Sequence, residues 1–218
     1  TVFIVEEPMA AAIGIRLPVN DPVGNMIVDI GGGTSDIAVI SLGGIVRSKS
    51  LKIAGDKLNE DIISYVRGEF KMLIGEKTAE SLKIAIGSVL PQGSTLEAMI
   101  KGRDLITGLP REVLVTDADV REAIALSIDN LIEAVKEVLE TTPPEIVSDV
   151  MGRGLYLVGG GALIRGLPGL LAESLKIPVH QADDPMTAVA RGAGIILEDF
   201  DTYKDVLIEN EDALPPHS

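Results

Sequence analysis

Gly31, Gly32 and Gly33 interrupt an otherwise strand-like run, "VDIGGGTSDIAVISLGG", that carries an aspartate on either side of them. Glycine weakens a strand interior, so three in succession must answer another need. Either the turn requires positive φ angles, as tight hairpins do, or the backbone is bared for a ligand. In the second reading the triplet and Thr34 present consecutive amides without Cβ shielding, a concave nest suited to a phosphate. Asp29 would then stand at the mouth of the turn, where a carboxylate holds a hydrated Mg²⁺. Thr34 would orient a water or bond a phosphate oxygen.

A second triplet weighs on that choice. Gly159, Gly160 and Gly161 follow the apolar run "LYLV" and precede "ALIRGLPGLL". Strand, glycines and helix start in that order let a polar ligand approach the backbone closely. Neither common nucleotide fingerprint fits. Ile164 occupies the sixth place of a G-x-G-x-x-G, and Leu167 and Pro168 replace the Lys and Ser/Thr of a P-loop. Close packing of a helix on a strand asks for one glycine; three favour a ligand.

Two further groups join the candidates. Glu7 precedes Pro8 at a helix start, where the first-turn N–H groups favour an ionised carboxylate. It is either a helix-start charge or a group that positions an attacking water. Glu80 and Lys83 stand i, i+3 on a short helix, as a surface ion pair or as contacts to a ribose and base. His180 and His217 are isolated, and no Ser/His/Asp constellation or metal-ligand spacing accompanies them.

The elements that must position these residues read as α/β. "VFIV" (2–5) is strand-like, and a helix opens at Pro8 and closes at Gly14 and Pro18. Runs 26–30, 36–42 and 45–53, separated by "GGGTS" and "GG", suit an antiparallel meander. Leu58, Ile62, Val66, Phe70 and Leu73 recur at helical spacing and predict a helix over roughly 57–74. Thr78 is placed to cap a short second helix, and 94–116 reads as two or three strands with glycine turns. Thr116 and Asp119 form a capping-box pattern before a long helix with Val120, Ile124, Ile128, Leu131, Val135 and Val138 on its apolar face. Pro143 and Pro144 stop it. A short helix (145–151), the strand at 155–158, another helix, the short strand "IPVHQA", the helix "DPMTAVARGAGIIL" and an acidic tail complete the chain. The expected organisation is a larger subdomain, 1–54 with 117–218, and a smaller inserted one, 55–116.

Composition bounds the function. Of 218 residues, 46% are hydrophobic and only 3% aromatic, so aliphatic side chains must build the core. The net charge of −14 argues against a nucleic-acid partner. It is no obstacle to a nucleotide held by backbone amides and a metal ion. Absent cysteines fit a reducing cytosol, and no apolar run approaches the ~20 residues that cross a bilayer. The start at Thr1, inside a strand-like run, suggests that an N-terminal part of a longer protein is missing.

Together these stretches resemble the actin, heat-shock chaperone and sugar-kinase superfamily, and within it the bacterial actins of the MreB family. "VDIGGGTSDIAVISLGGIV" resembles that family's second phosphate hairpin, and "VFIVEEPMAAAIGIRLPV" its segment between the lobes. "IGEKTAESLKIAIGS" resembles the helix beside the base, "YLVGGGALIRGLPGLL" the adenosine motif and "DPMTAVARGAG" the closing helix. The resemblance implies an actin-like ATPase (ribonuclease H-like) lobe that binds ATP and Mg²⁺. Glu7 and Thr34 would orient the hydrolytic water, and Asp29 would meet the metal through water. Gly31, Gly32 and Gly33 would give amides to the phosphates. Glu80 and Lys83, with Ser81 and Leu82 between them, would hold ribose and base, and Gly159, Gly160, Gly161 and Ala162 the adenosine. The implied role is a cytoplasmic filament at the inner face of the membrane. It would determine rod shape by guiding wall synthesis, with itself and membrane proteins of wall synthesis as partners. A sugar kinase or chaperone-type ATPase is the alternative within the fold. The family's first phosphate motif and the lobe that carries it are absent, so weak or absent hydrolysis is expected of this chain alone.

Overall fold

The computed structural model describes residues 2–208; His217 and the end of the acidic tail lie outside them. Two sheets organise the chain. The larger has five strands in the order β3-β2-β1-β7-β8, with β1 Asn25–Ile30, β2 Ser35–Ser41, β3 Gly44–Leu51, β7 Leu155–Val158 and β8 Val179–Gln181. The smaller has three, β4 Met72–Leu73, β5 Glu97–Asp104 and β6 Pro110–Thr116, in chain order.

Strand β1 is buried along its whole length because it is central and covered on both faces. Its side chains alternate between two cores. Met26, Val28 and Ile30 join Ile37, Val39, Leu155 and Leu157 in one cluster. Ile27 joins Ala38, Ile40 and Val158 in the other. The first cluster is closed by α2 (Gly55–Glu69), α4 (Asp117–Thr141) and α6 (Leu167–Leu175), through Leu58, Ile62, Val120, Ile124, Leu131 and Leu171. The second is closed by α1 (Glu7–Gly14) and α7 (Ala188–Glu198). These two helices touch backbone to backbone. A Cβ on Gly192 would overlap the Ala10 carbonyl, and one on Gly14 the Ala188 carbonyl. The small residues of "MAAAIG" therefore serve a close crossing, and they bring Glu7 to the end of the sheet.

Pairing of the meander matches its reading: β1 runs antiparallel to β2 and β2 to β3. On its other side β1 runs parallel to β7, with Asp29 opposite Val158, and β7 runs parallel to β8. Several expectations are corrected. "VFIV" makes no strand; Ile4 forms a single bridge with Ile208. The helix predicted to reach residue 74 stops at Glu69, because Lys71 takes a positive φ of 51° and Met72–Leu73 pair with Asp104 and Arg103. Thr78 caps nothing: α3 (Glu76–Ile86) starts from Gly75, whose carbonyl accepts from Thr78 N at 3.1 Å. The run 94–116 yields two strands. The capping box holds, with Asp119 N donating to Thr116 Oγ1 at 3.3 Å and Thr116 N to Asp119 Oδ2 at 2.8 Å. A 3₁₀ turn at Pro185–Thr187 precedes α7, and α5 (Pro144–Arg153) and α8 (Phe200–Tyr203) complete the helices.

Candidate nucleotide site

Parallel pairing of β1 with β7 sets the two glycine triplets side by side, since Gly31 follows the end of β1 and Gly159 the end of β7. The crevice beyond the carboxyl ends of parallel strands is where α/β folds place ligands. Two cavities open there. One, about 230 Å³, is lined by Glu7, Asp29, Gly31, Thr34, Asp36 and Gly160 among others. The second, about 520 Å³, is lined by Gly31, Gly32, Gly55, Asp56, Asn59, Glu80, Lys83, Gly160, Gly161 and Arg165 among others. Gly31, Gly160 and Met186 border both, so the two adjoin.

The first triplet is not a positive-φ turn. None of Gly31, Gly32 and Gly33 lies in that region. A Cβ on Gly33 would meet nothing within 4 Å, and one on Gly32 only Asp56 Oδ1 at 4.0 Å. Neither backbone conformation nor internal packing calls for glycine at these two places, where the backbone is bared to open space. The amide of Gly31 is already bonded to Thr34 O at 3.0 Å, closing the turn. Among the described residues no backbone carbonyl takes the amides of Gly32, Gly33 or Thr34. Of the four consecutive amides of the triplet and Thr34, three are thus open and that of Gly31 is not. Behind the turn, Gly55 N donates to Gly31 O at 3.1 Å and Asp56 N to Gly32 O at 2.8 Å, tying the hairpin to the first turn of α2.

The second triplet divides. Gly159 has a φ of +79°, and a Cβ there would overlap Asp29 Oδ1 and Ile30 O. A Cβ on Gly161 would overlap Ile30 Cγ2. Both are required by close approach to the end of β1. Gly160 has nothing within 4 Å and faces both cavities. Ala162 is fully buried and lines neither cavity.

Carboxylates crowd the smaller cavity. Period-two alternation turns Asp29 toward the α1 side, where Glu7 opens the helix. Asp36 is the cross-strand partner of Asp29. Like charges so placed repel. Burial pushes the Asp29 carboxyl up to about 6, and Glu7 and Asp36 add to the rise. Asp36 also accepts the Thr34 hydroxyl proton at 2.9 Å, which leaves Thr34 Oγ1 only lone pairs for a further partner. Among the described residues no three His, Cys, Asp or Glu side chains form a direct metal-ligand set.

In the larger cavity Glu80 and Lys83 lie on α3, and the Lys83 ammonium donates to Gly55 O at 2.9 Å. Burial lowers the Lys83 pKa, opposed by Glu80 and Asp56. Ser81 is exposed and Leu82 is turned into the core, and neither lines a cavity. Arg165, which lines the larger cavity, donates to Ile84 O at 3.2 Å and Gly87 O at 3.3 Å, tying its loop to the end of α3. His180 is exposed on β8, its ring tilted 35° to that of Tyr156 with centroids 5.1 Å apart, and it lines neither cavity. Sequence reasoning missed Asp36, Asp56, Asn59 and Arg165. A polar residue on the apolar stripe of α2 was the available signal for Asn59, and the second aspartate flanking the triplet was the signal for Asp36.

Comparison with known proteins gives the chain's relatives. The family model described as MreB/Mbl protein matches residues 1–205. The cell shape-determining protein Mbl of Bacillus subtilis (strain 168) is 50% identical over 200 residues, covering 92% of this chain and 60% of the relative. The structure of MreB5 of Spiroplasma citri bound to ADP superposes with a TM-score of 0.88 at 37% identity, over 92% of this chain and 61% of that one. The MamK double helical filament superposes at 0.74 and 26% identity, over 88% and 58%. The chain therefore spans about 60% of the length of the curated relative it matches. Its fold is actin-like, and by the extent of these matches the chain belongs to the MreB/Mbl family.

Proposed function

We propose that the joined cavities bind ATP and that the nucleotide governs assembly of a filament that determines cell shape. The observation that carries this reading is the pair of unshielded glycines, Gly32 and Gly160, which neither backbone geometry nor packing requires and which face the same crevice. The ADP carried by MreB5 of Spiroplasma citri supports the ligand, and the MamK filament supports self-association. The phosphates would take the amides of Gly32, Gly33 and Thr34, and the ribose and base would lie toward Glu80, Lys83 and Arg165. The acidic group Asp29, Glu7 and Asp36 fits a cation held through its water shell, since ionised Asp29 otherwise meets two like charges. Bound Mg²⁺ would neutralise phosphate charge, which is most of what catalysis of phosphoryl transfer asks. Thr34 Oγ1, its proton given to Asp36, would orient a water as an acceptor beside Glu7. We further propose that 55–116 acts as a smaller inserted subdomain, and that the filament lies at the inner face of the membrane with wall-synthesis proteins as partners. No described helix is long and apolar enough to cross a membrane.

Sedimentation tests the reading. The intact gene product should pellet with Mg·ATP and stay in the supernatant without nucleotide, and Gly32→Ala should raise the Mg·ATP concentration needed by roughly 10- to 150-fold. A monomer at all nucleotide concentrations would sink it.

A further inference from the structure

Asn59 is the only side chain on the buried stripe of α2 that is not hydrophobic; its companions are Leu58, Ile62 and Val66. It is 3% exposed and lines the 520 Å³ cavity. Its Oδ1 has no hydrogen-bond partner among the described residues. One other buried side-chain atom there shares that condition, Arg153 Nε, but that guanidinium still donates through Nη2 to Asn25 Oδ1 at 3.2 Å. A buried acceptor left unmatched costs stability that an aliphatic residue would not. The imbalance points to a donor brought by a ligand.

A nucleotide offers donors only on its sugar and base, since its phosphates accept. Position selects between them. The first turn of α2 holds the phosphate hairpin through Gly55 and Asp56, and Asn59 stands about one helical turn, ~5 Å, farther along. That is the reach of the sugar from the diphosphate, short of the base. We propose that Asn59 reads a ribose hydroxyl and so favours ribonucleotides over deoxyribonucleotides. The assignment rests on the nucleotide reading above. A half-turn about χ2 exchanges Oδ1 and Nδ2, and a hydroxyl both donates and accepts, so the amide serves in either orientation.

The test titrates this chain with Mg·ADP, Mg·2′-deoxy-ADP and Mg·3′-deoxy-ADP, followed by calorimetry or amide NMR shifts. The wild type should prefer ADP to at least one deoxy analogue by about tenfold. In Asn59→Ala and Asn59→Leu that preference should fall to near unity, while the melting temperature without nucleotide stays at or above the wild-type value. A preference unchanged in both variants, or none in a wild type that binds ADP saturably, overturns the inference alone. A lower melting temperature in both variants assigns Asn59 a structural role and also overturns it. No saturable ADP binding by the wild type overturns the nucleotide reading and the inference with it.

Discussion

Replacing Gly32 with alanine separates the needs of the fold from those of a ligand. The backbone there lies outside the positive-φ region, and the new methyl would meet only Asp56 Oδ1 at 4.0 Å. Gly→Ala at such a place removes freedom from the unfolded chain and stabilises by about 0.4–1 kcal/mol. For a chain of this size that raises the melting temperature by about 1–4 °C. The same methyl would project into the open crevice proposed for the phosphate and hold its oxygen off the Gly32 amide. Losing one charge-assisted hydrogen bond costs about 1.5–3 kcal/mol, roughly 10- to 150-fold in affinity. At a fixed, saturating ADP concentration a ~30-fold loss removes about 2 kcal/mol of ligand stabilisation, or roughly 4–8 °C of the ADP-induced rise. Thermal scans with and without Mg·ADP read both effects at once: a higher baseline and a smaller increment. Gly161→Ala is the contrast, because its methyl would overlap Ile30 Cγ2; overpacking should lower the baseline by about 1–3 kcal/mol. An unchanged ADP increment in Gly32→Ala would refute the phosphate assignment. A lowered baseline would show that the fold itself needs glycine there.

The remaining predictions concern charge and packing. Asp29 has its folded pKa raised from 3.8 to about 6, so between those values the folded chain keeps a proton that the unfolded chain releases. Stability from this group therefore falls as pH rises through that window, by on the order of 2 kcal/mol. Asp29→Asn should match the wild type in urea unfolding near pH 4, exceed it at pH 7, and lose Mg²⁺-dependent nucleotide binding; a gap independent of pH would contradict the charge argument. Lys83→Met should weaken ADP about tenfold through the lost ammonium, measured by calorimetry, and an affinity equal to wild type would place Lys83 outside the site. Gly192→Ala drives a methyl into the Ala10 carbonyl at the α1–α7 crossing. It should cost about 3 kcal/mol in chemical denaturation, and a loss below ~0.5 kcal/mol would mean that the helices separate freely.

What the sequence made legible was local. The meander, the capping box at Thr116 and the glycine triplets announce themselves within a few residues. What it hid depended on distant partners. The α2 helix looked longer because Phe70 and Leu73 keep its period, yet Met72 is claimed by Asp104, far along the chain. "VFIV" has strand composition, but only Ile4 has a bridge partner, Ile208. The two triplets looked equivalent and are not: Gly159 and Gly161 answer to Ile30, whereas Gly32, Gly33 and Gly160 face open space. Asp36 was visible in the sequence as the second aspartate flanking the triplet, but its place opposite Asp29 came only with the β-pairing. Of the helix residues named together, Glu80 and Lys83 face the cavity while Leu82 turns inward, a division that helical rotation decides and spacing alone did not assign.

Amide NMR mapping of this chain during titration with Mg·ADP shows whether the two glycine loops together hold the nucleotide. Saturable shifts should concentrate at Gly32, Gly33, Thr34 and Gly160, with smaller ones at Glu80 and Lys83. Saturable shifts that leave both glycine loops unmoved, or no saturable shifts at millimolar nucleotide, would contradict a nucleotide site there.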